Sequence, residues 1–218
     1  MAYKDKLLHH YHELNLRQRL RYNLIDRFRF SGLERFFFEG CKDNPGQMFL
    51  AERRGLYEAI LKHAPRHCFE VGTYTGGGST FFLANAFAKQ GQGKVITTEI
   101  DKNLHEGCKN FYQKQLPHLM PHVEFILGSD LNAFLPYLEN GVDCFFLDGA
   151  EDASQTVAQY NFFEPYCSPG TVMMAHDWNT DKMKGLRKFL PSEAKISWRV
   201  ELHLEAPHSV GFVVMVAE

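Results

Sequence analysis

Cys68-Phe69-Glu70-Val71-Gly72-Thr73-Tyr74-Thr75-Gly76-Gly77-Gly78-Ser79 runs from a short apolar segment through a glycine-rich turn into STFFLANAFAK, residues 79–89, whose small and aromatic side chains follow helical spacing. This predicts strand, tight turn, helix. Glycines let the backbone turn sharply and approach a ligand closely. The helix that opens near Gly77 presents free N–H groups to a carboxylate or phosphate. The acidic residue at the start of the turn, Glu70, makes it more than an ordinary strand–helix connection.

The same alternation continues on both sides. Residues 51–63 form a helical pattern stopped by Pro65, and residues 95–98, 123–127, 142–147 and 171–175 read as further strands. Helical patterns over 103–115, 131–139, 153–164 and 181–190 separate them. The run 142–147, VDCFFL, is almost continuously apolar, as a strand buried on both faces should be. The end differs: 196–204 and 209–217 are two strands joined too closely for a parallel crossover, so they pair antiparallel. The expected fold is α/β: a doubly wound, mostly parallel, seven-stranded sheet closed by an antiparallel hairpin.

The composition narrows the function. With Lys plus Arg at 24 and Asp plus Glu at 26, the net charge of −2 speaks against a dedicated nucleic-acid binder. No run is long and apolar enough to span a membrane, and no secretory leader is evident at the N-terminus. The five cysteines, Cys41, Cys68, Cys108, Cys144 and Cys167, are widely spaced and lack a C-x-x-C, which fits neither a disulfide framework nor a zinc ribbon. A reducing cytoplasm is the expected compartment.

In a doubly wound sheet, ligands bind beyond the carboxyl ends of the strands. Strand two ends in Glu99-Ile100-Asp101, where a carboxylate can accept both hydroxyls of a ribose. Strand three ends in Gly128-Ser129-Asp130, placed to read an adenine amino group. Gly72 and Gly76 are separated by Thr73-Tyr74-Thr75, so the G-x-G-x-x-G of dinucleotide folds is missing and an NAD-dependent oxidoreductase is disfavoured.

Glu70, the loop 72–79, Glu99 and residues 128–130 together resemble class I S-adenosylmethionine-dependent methyltransferases with their Rossmann-like fold, over roughly residues 50–218. The string E-V-G-T-Y-T-G-G-G-S is similar to the small-molecule O-methyltransferase branch, the relatives of catechol and caffeoyl-CoA O-methyltransferases. F-L-D-G-A-E and A-H-D-W resemble that branch and neighbouring sugar O-methyltransferases. The resemblance implies S-adenosyl-L-methionine as cofactor and a hydroxyl of a small molecule as methyl acceptor. It implies that Glu70, Gly72, Thr73, Tyr74 and Gly76 hold the methionine portion, that Ser79 binds its carboxylate, that Glu99 takes the ribose and that Ser129 or Asp130 faces adenine.

In the metal-dependent members, Asp148 and Asp177 match two ligands of a divalent cation, and oxygen ligands suit Mg2+. The third ligand there is an Asn directly after the second Asp. Here that position is Trp178, and Asn179 lies one residue further on. Two readings stand: a metal held by Asp148, Asp177 and Asn179, or hydrogen-bonded acids that end their strands, with Asp148 near the cofactor sulfonium. Glu151 falls where relatives carry a Lys or His as general base. His176 is the second base candidate, and Trp178 is either a wall of the pocket or a core residue.

Residues 1–49 read as a helical extension ahead of the 50–218 domain. Leu7, Leu8, Tyr11 and Leu14 recur at helical spacing, and residues 1–35 carry eight basic and four acidic side chains. The segment is expected to pack on the domain, with a lid or the contact of a homodimer as sharper roles. A non-catalytic cofactor- or nucleotide-binding domain is the alternative to an enzyme, because fold alone does not settle function.

Overall fold

A computed structural model describes residues 48–128, 131–206 and 209–218. The helical extension expected over residues 1–49 lies outside them except for Met48 and Phe49, as do Cys41, Ser129 and Asp130. The first described helix, α1 (Leu50–His63), leads into β1 (His67–Val71), α2 (Ser79–Gln90), β2 (Lys94–Glu99), α3 (Lys102–Gln115) and β3 (Val123–Leu127). Then come β4 (Cys144–Leu147), α4 (Ala153–Phe163), β5 (Val172–His176), α5 (Lys184–Phe189), β6 (Trp198–Leu204) and β7 (Phe212–Ala217).

The seven strands form one sheet in the order β3-β2-β1-β4-β5-β7-β6. Strands β1 to β5 pair in parallel, and β7 inserts antiparallel between β5 and β6. The expected α/β architecture with its terminal hairpin is therefore present. The chain leaves β1 toward β2 and β3, then returns to place β4 on the other side of β1. That reversal opens a crevice at the carboxyl ends of β1 and β4, where ligands of such sheets bind.

Strict alternation along the central strands builds two cores. Cys144, Phe146, Val172, Met174, Val214 and Val216 face one side with Leu56, Ile60, Phe82 and Phe87 of α1 and α2. Phe145, Leu147, Met173, Ala175, Val213 and Met215 face the other with Tyr160, Phe163 and Leu186 of α4 and α5. Burial on both faces explains why β4 reads as a continuous apolar run. Phe69, Phe134, Phe145 and Phe163 form an aromatic stack in the second core, with Phe145 and Phe163 at 4.9 Å between centroids.

Two helical expectations change form. Residues 131–139 are a 3-10 helix over Leu131–Tyr137 with Pro136 inside it, which removes a backbone donor and prevents α-helical bonding. Residues 181–190 divide into a 3-10 turn, Asp181–Met183, and the short α5. That turn carries Lys182 to the site.

The glycine turn after β1 is packed from below by α3. Gly76 has φ +73°, its carbonyl accepts from the Tyr112 hydroxyl at 2.7 Å, and a Cβ there would lie 2.3 Å from the Cys108 sulfur. Gly76→Ala is expected to destabilise the fold by about 1–3 kcal/mol through overpacking and backbone strain. A urea midpoint matching wild type would refute this, and Gly76→Ala/Cys108→Ala should recover part of the loss.

Candidate active site

The loop after β1 is strapped onto β2. The backbone N–H groups of Gly72 and Thr73 both donate to the Thr98 carbonyl, at 3.1 and 2.9 Å. The Thr73 hydroxyl lies 2.6 Å from that of Thr97. Tyr74 N–H donates to Glu99 Oε2 at 2.7 Å, and Asp101 N–H donates to Glu99 Oε1 at 2.9 Å. Tyr74 takes φ +52°, uncommon for a residue with a side chain, and the bond to Glu99 helps hold it there. Glu99 is buried and keeps a lone-pair direction on each oxygen beyond these two bonds.

Above these residues lies a cavity of about 960 Å³. Gly72, Thr73, Tyr74, Gly78, Ser79, Glu99 and Ile100 line one end. Asp148, Glu151, Gln155, Gln159, Asp177 and Lys182 line the other. Helix α2 begins at Ser79 after Gly78, and no side chain caps its first turn, so its N–H groups stand at the cavity wall. Between the two ends Gly149 passes so close to β1 that a Cβ on it would sit 2.5 Å from the Val71 carbonyl oxygen. Only glycine permits that approach.

Two of the expected cofactor residues lie behind the wall. Gly76 supports the loop from beneath. Glu70 is fully buried, accepts from the Thr80 hydroxyl at 2.6 Å through Oε2, and has no partner at Oε1. Burial pushes its carboxyl up to about 7, although the nearby hydroxyls of Ser79, Thr80 and Thr97 pull the other way. Ser129 and Asp130 lie outside the described residues, so the adenine contact expected of them has no structural account here.

At the far end a charged network replaces the simple acid pair expected from the sequence. His176, at the end of β5 and buried, places Nδ1 at 3.2 Å from Asp148 Oδ1 and Nε2 at 3.0 Å from Glu52 Oε2. Burial alone would lower its pKa. The charge and hydrogen bond of Asp148, with those of Glu52, outweigh burial and hold it at about 10. Both ring nitrogens of His176 face carboxylates, which favours the protonated form and leaves neither nitrogen open to a substrate hydroxyl. Asp148 is held down to about 2: burial would raise it, but His176 and then Lys182 prevail.

Lys182 is the residue that the sequence reading did not single out. Its ammonium lies 3.0 Å from Asp148 Oδ1, 2.9 Å from the Asp148 carbonyl and 2.8 Å from Asp177 Oδ2. Glu52 was missed as well. Its four acceptor directions receive Phe49 N–H, His176, the Ser209 hydroxyl and Val210 N–H. No motif announces either residue, since each lies on a different element from the acids or imidazole it contacts.

The donor chemistry decides the fit to Mg2+. Asp148, His176 and Asp177 offer ligand atoms within 4.8 Å of one another. A divalent ion between the carboxylates would have to displace an ammonium already bonded to both. Asn179 is exposed and outside the cavity wall, and Trp178 is buried in the second core instead of forming a wall. The residues as arranged do not suit Mg2+, so Asp148, Asp177 and Asn179 do not assemble as the expected metal set.

Fold and site together define a ligand-binding enzyme of the doubly wound class. A family model described as a methyltransferase domain matches residues 69–178, half of the chain, and the chain belongs to that family. No curated protein matches it significantly. Among solved structures it is similar to an O-methyltransferase from Bacillus cereus in complex with SAH (22% identity, TM-score 0.59, 77% of this chain and 81% of that one). It is also similar to the O-methyltransferase TomG from Streptomyces achromogenes, involved in tomaymycin synthesis and solved with SAM (17%, TM-score 0.59, 77% and 80%). A Staphylococcus aureus protein provisionally assigned as a caffeoyl-CoA O-methyltransferase matches over 94% of this chain and 100% of its own (15%, TM-score 0.69). At these identities the likeness is one of fold. Membership in the family leaves the oxidoreductase reading without support. Among the described residues no helix is long and apolar enough to cross a membrane.

Proposed function

We propose that the protein transfers the methyl group of S-adenosylmethionine to a hydroxyl of a small molecule. The observation that carries this reading is one continuous cavity with Glu99 and the α2 N-terminus at one end and an ionised acid cluster at the other. When bound, the cofactor supplies an electrophilic methyl on a sulfonium. Glu99 accepts the ribose hydroxyls. The first turn of α2, with Ser79, receives the carboxylate of the methionine portion. Ile100, 71% exposed, and Leu131 offer apolar surface to adenine.

The acceptor occupies the other end. In-line displacement needs its oxygen held opposite the sulfonium with water excluded. Gln159 is buried in the wall with Oε1 unpartnered. Asp148 stays ionised and lends negative charge near the sulfonium, but a carboxylate held at about 2 is a poor proton acceptor. Glu151 takes the hydroxyl proton. It stands exposed at the cavity wall, and its carboxylate has no ion pair among the described residues. The reading extends to a cytoplasmic location, supported by four free cysteines among the described residues, and to residues 1–49 acting as a lid or homodimer contact of the 50–218 domain.

The test is calorimetric titration with S-adenosylhomocysteine, followed by turnover screening against catechols and sugars. Micromolar binding and methylated product are expected. Glu151→Gln should lower kcat about a hundredfold while leaving S-adenosylhomocysteine affinity unchanged. Binding without turnover of any hydroxyl acceptor would favour a non-catalytic cofactor-binding domain, and no binding would remove the methyltransferase reading.

A further inference from the structure

We propose that Lys182 is a built-in cation that takes the place of a divalent metal between Asp148 and Asp177, so that the site is organised without a metal ion. The substitution stands on geometry and does not depend on which acceptor is methylated. An ammonium has three N–H groups, and all three are used: on Asp148 Oδ1, on the Asp148 carbonyl and on Asp177 Oδ2. These are charge-assisted bonds of ordinary length that close a ring across the ends of β4 and β5.

The surroundings fix the ammonium there. The Thr156 hydroxyl of α4 lies 3.0 Å from the Lys182 carbonyl and ties the 3-10 turn to the helix. The Lys182 side chain is only 16% exposed. Asp177 adopts φ +56°, and both the N–H and the hydroxyl of Thr180 reach its carbonyl at 2.8 Å. That turn aims the Asp177 carboxylate back at Lys182.

Charge complementarity agrees, because the ammonium sits between the two carboxylates at 3.0 and 2.8 Å. Mg2+ also demands near-octahedral oxygen coordination. The residue after Asp177, Trp178, is apolar and turned into the second core, so it supplies no oxygen from its side chain. Lys182 therefore acts as a positioning residue. It orients two carboxylates and, with every proton already donated, has none left for substrate.

The probe is Mn2+ alone, followed by electron paramagnetic resonance on the full chain. Wild type is expected to show no saturable binding up to about 1 mM. Lys182→Ala should bind one Mn2+ at least about a hundredfold more tightly than wild type, and Lys182→Ala/Asp148→Asn should lose it again. In parallel, S-adenosylhomocysteine affinity and Tm of wild type should be unchanged by EDTA. Saturable one-to-one binding to wild type that vanishes in Asp148→Asn would overturn the proposal, as would a folded Lys182→Ala that binds no Mn2+. Should Lys182→Ala not fold, Lys182→Met serves in its place. Failure of the methyltransferase reading is separate, because it shows as absent S-adenosylhomocysteine binding whatever Mn2+ does.

Discussion

Glu99→Ala is expected to weaken S-adenosylhomocysteine binding by about 10²–10⁴-fold. Two ribose hydroxyls donating to one carboxylate are charge-assisted bonds worth about 1.5–3 kcal/mol each, and each 1.4 kcal/mol is a factor of ten. The carboxylate is preorganised for the task, because Tyr74 N–H and Asp101 N–H already fix its rotamer. Little ordering of that side chain is left to oppose binding. Substitution also frees the Tyr74 N–H, which helps hold that residue at positive φ, so part of the loss passes through the loop. Glu99→Gln separates the two contributions. It keeps one acceptor oxygen and should fall between wild type and Glu99→Ala. Calorimetry measures the affinities, and circular dichroism confirms that the variants fold. Wild-type affinity in a folded Glu99→Ala would move the ribose elsewhere and remove the main reason for orienting the cofactor toward β2.

Much of the fold was legible because its signals are local. Strands β4 and β5 lie between two cores, so they are short and apolar. Two-sided burial makes VDCFFL conspicuous, and glycine punctuates the turns. The sites at the ends of β1 and β2 were legible for the same reason: Gly72, Thr73, Tyr74 and Glu99 sit in or beside the turns that expose them to the cavity. What escaped was non-local. Glu52 lies on α1 and acts on an imidazole 124 positions away at the end of β5. Lys182 looks like any surface lysine until the turn after β5 folds it back over Asp148. Burial and partners fix the state of His176, and neither follows from the string A-H-D-W. Sequence identified the acids of the site but not the counter-charges that decide what the acids can do.

Those counter-charges make Glu52→Ala the most damaging single substitution expected for stability. The Glu52 carboxylate is fully buried and joins three separate parts of the chain: Phe49 ahead of α1, His176 at the end of β5, and Ser209–Val210 before β7. Truncation strands four donors, one of them cationic, and should cost about 3–5 kcal/mol. The effect has a pH signature that packing loss would not produce. His176 is held at about 10 in the folded protein against an ordinary 6.5, so its contribution is complete below pH 6.5 and is lost as pH rises through 10. Asp148, held at about 2 against 3.8, contributes above 3.8 and loses that contribution as pH falls through 2. Glu70, raised from 4.5 to about 7, is penalised on ionisation, so stability falls through that interval and its effect is complete above it. From pH 7 to 8 the loss therefore belongs chiefly to His176, whose own share is bounded by about 1.4 kcal/mol per pH unit, and the buried thiols of Cys68, Cys108 and Cys167, raised in the folded protein, add to it toward pH 9. Glu52→Gln, which keeps the shape and removes one of the charges, should show a shallower loss over the same range. Thiols that ionise in the unfolded chain cancel in that comparison. Urea midpoints of both proteins at pH 7, 8 and 9 measure it. Equal slopes would mean that Asp148 alone keeps His176 charged, and a flat wild-type profile would mean that His176 is not an imidazolium at all.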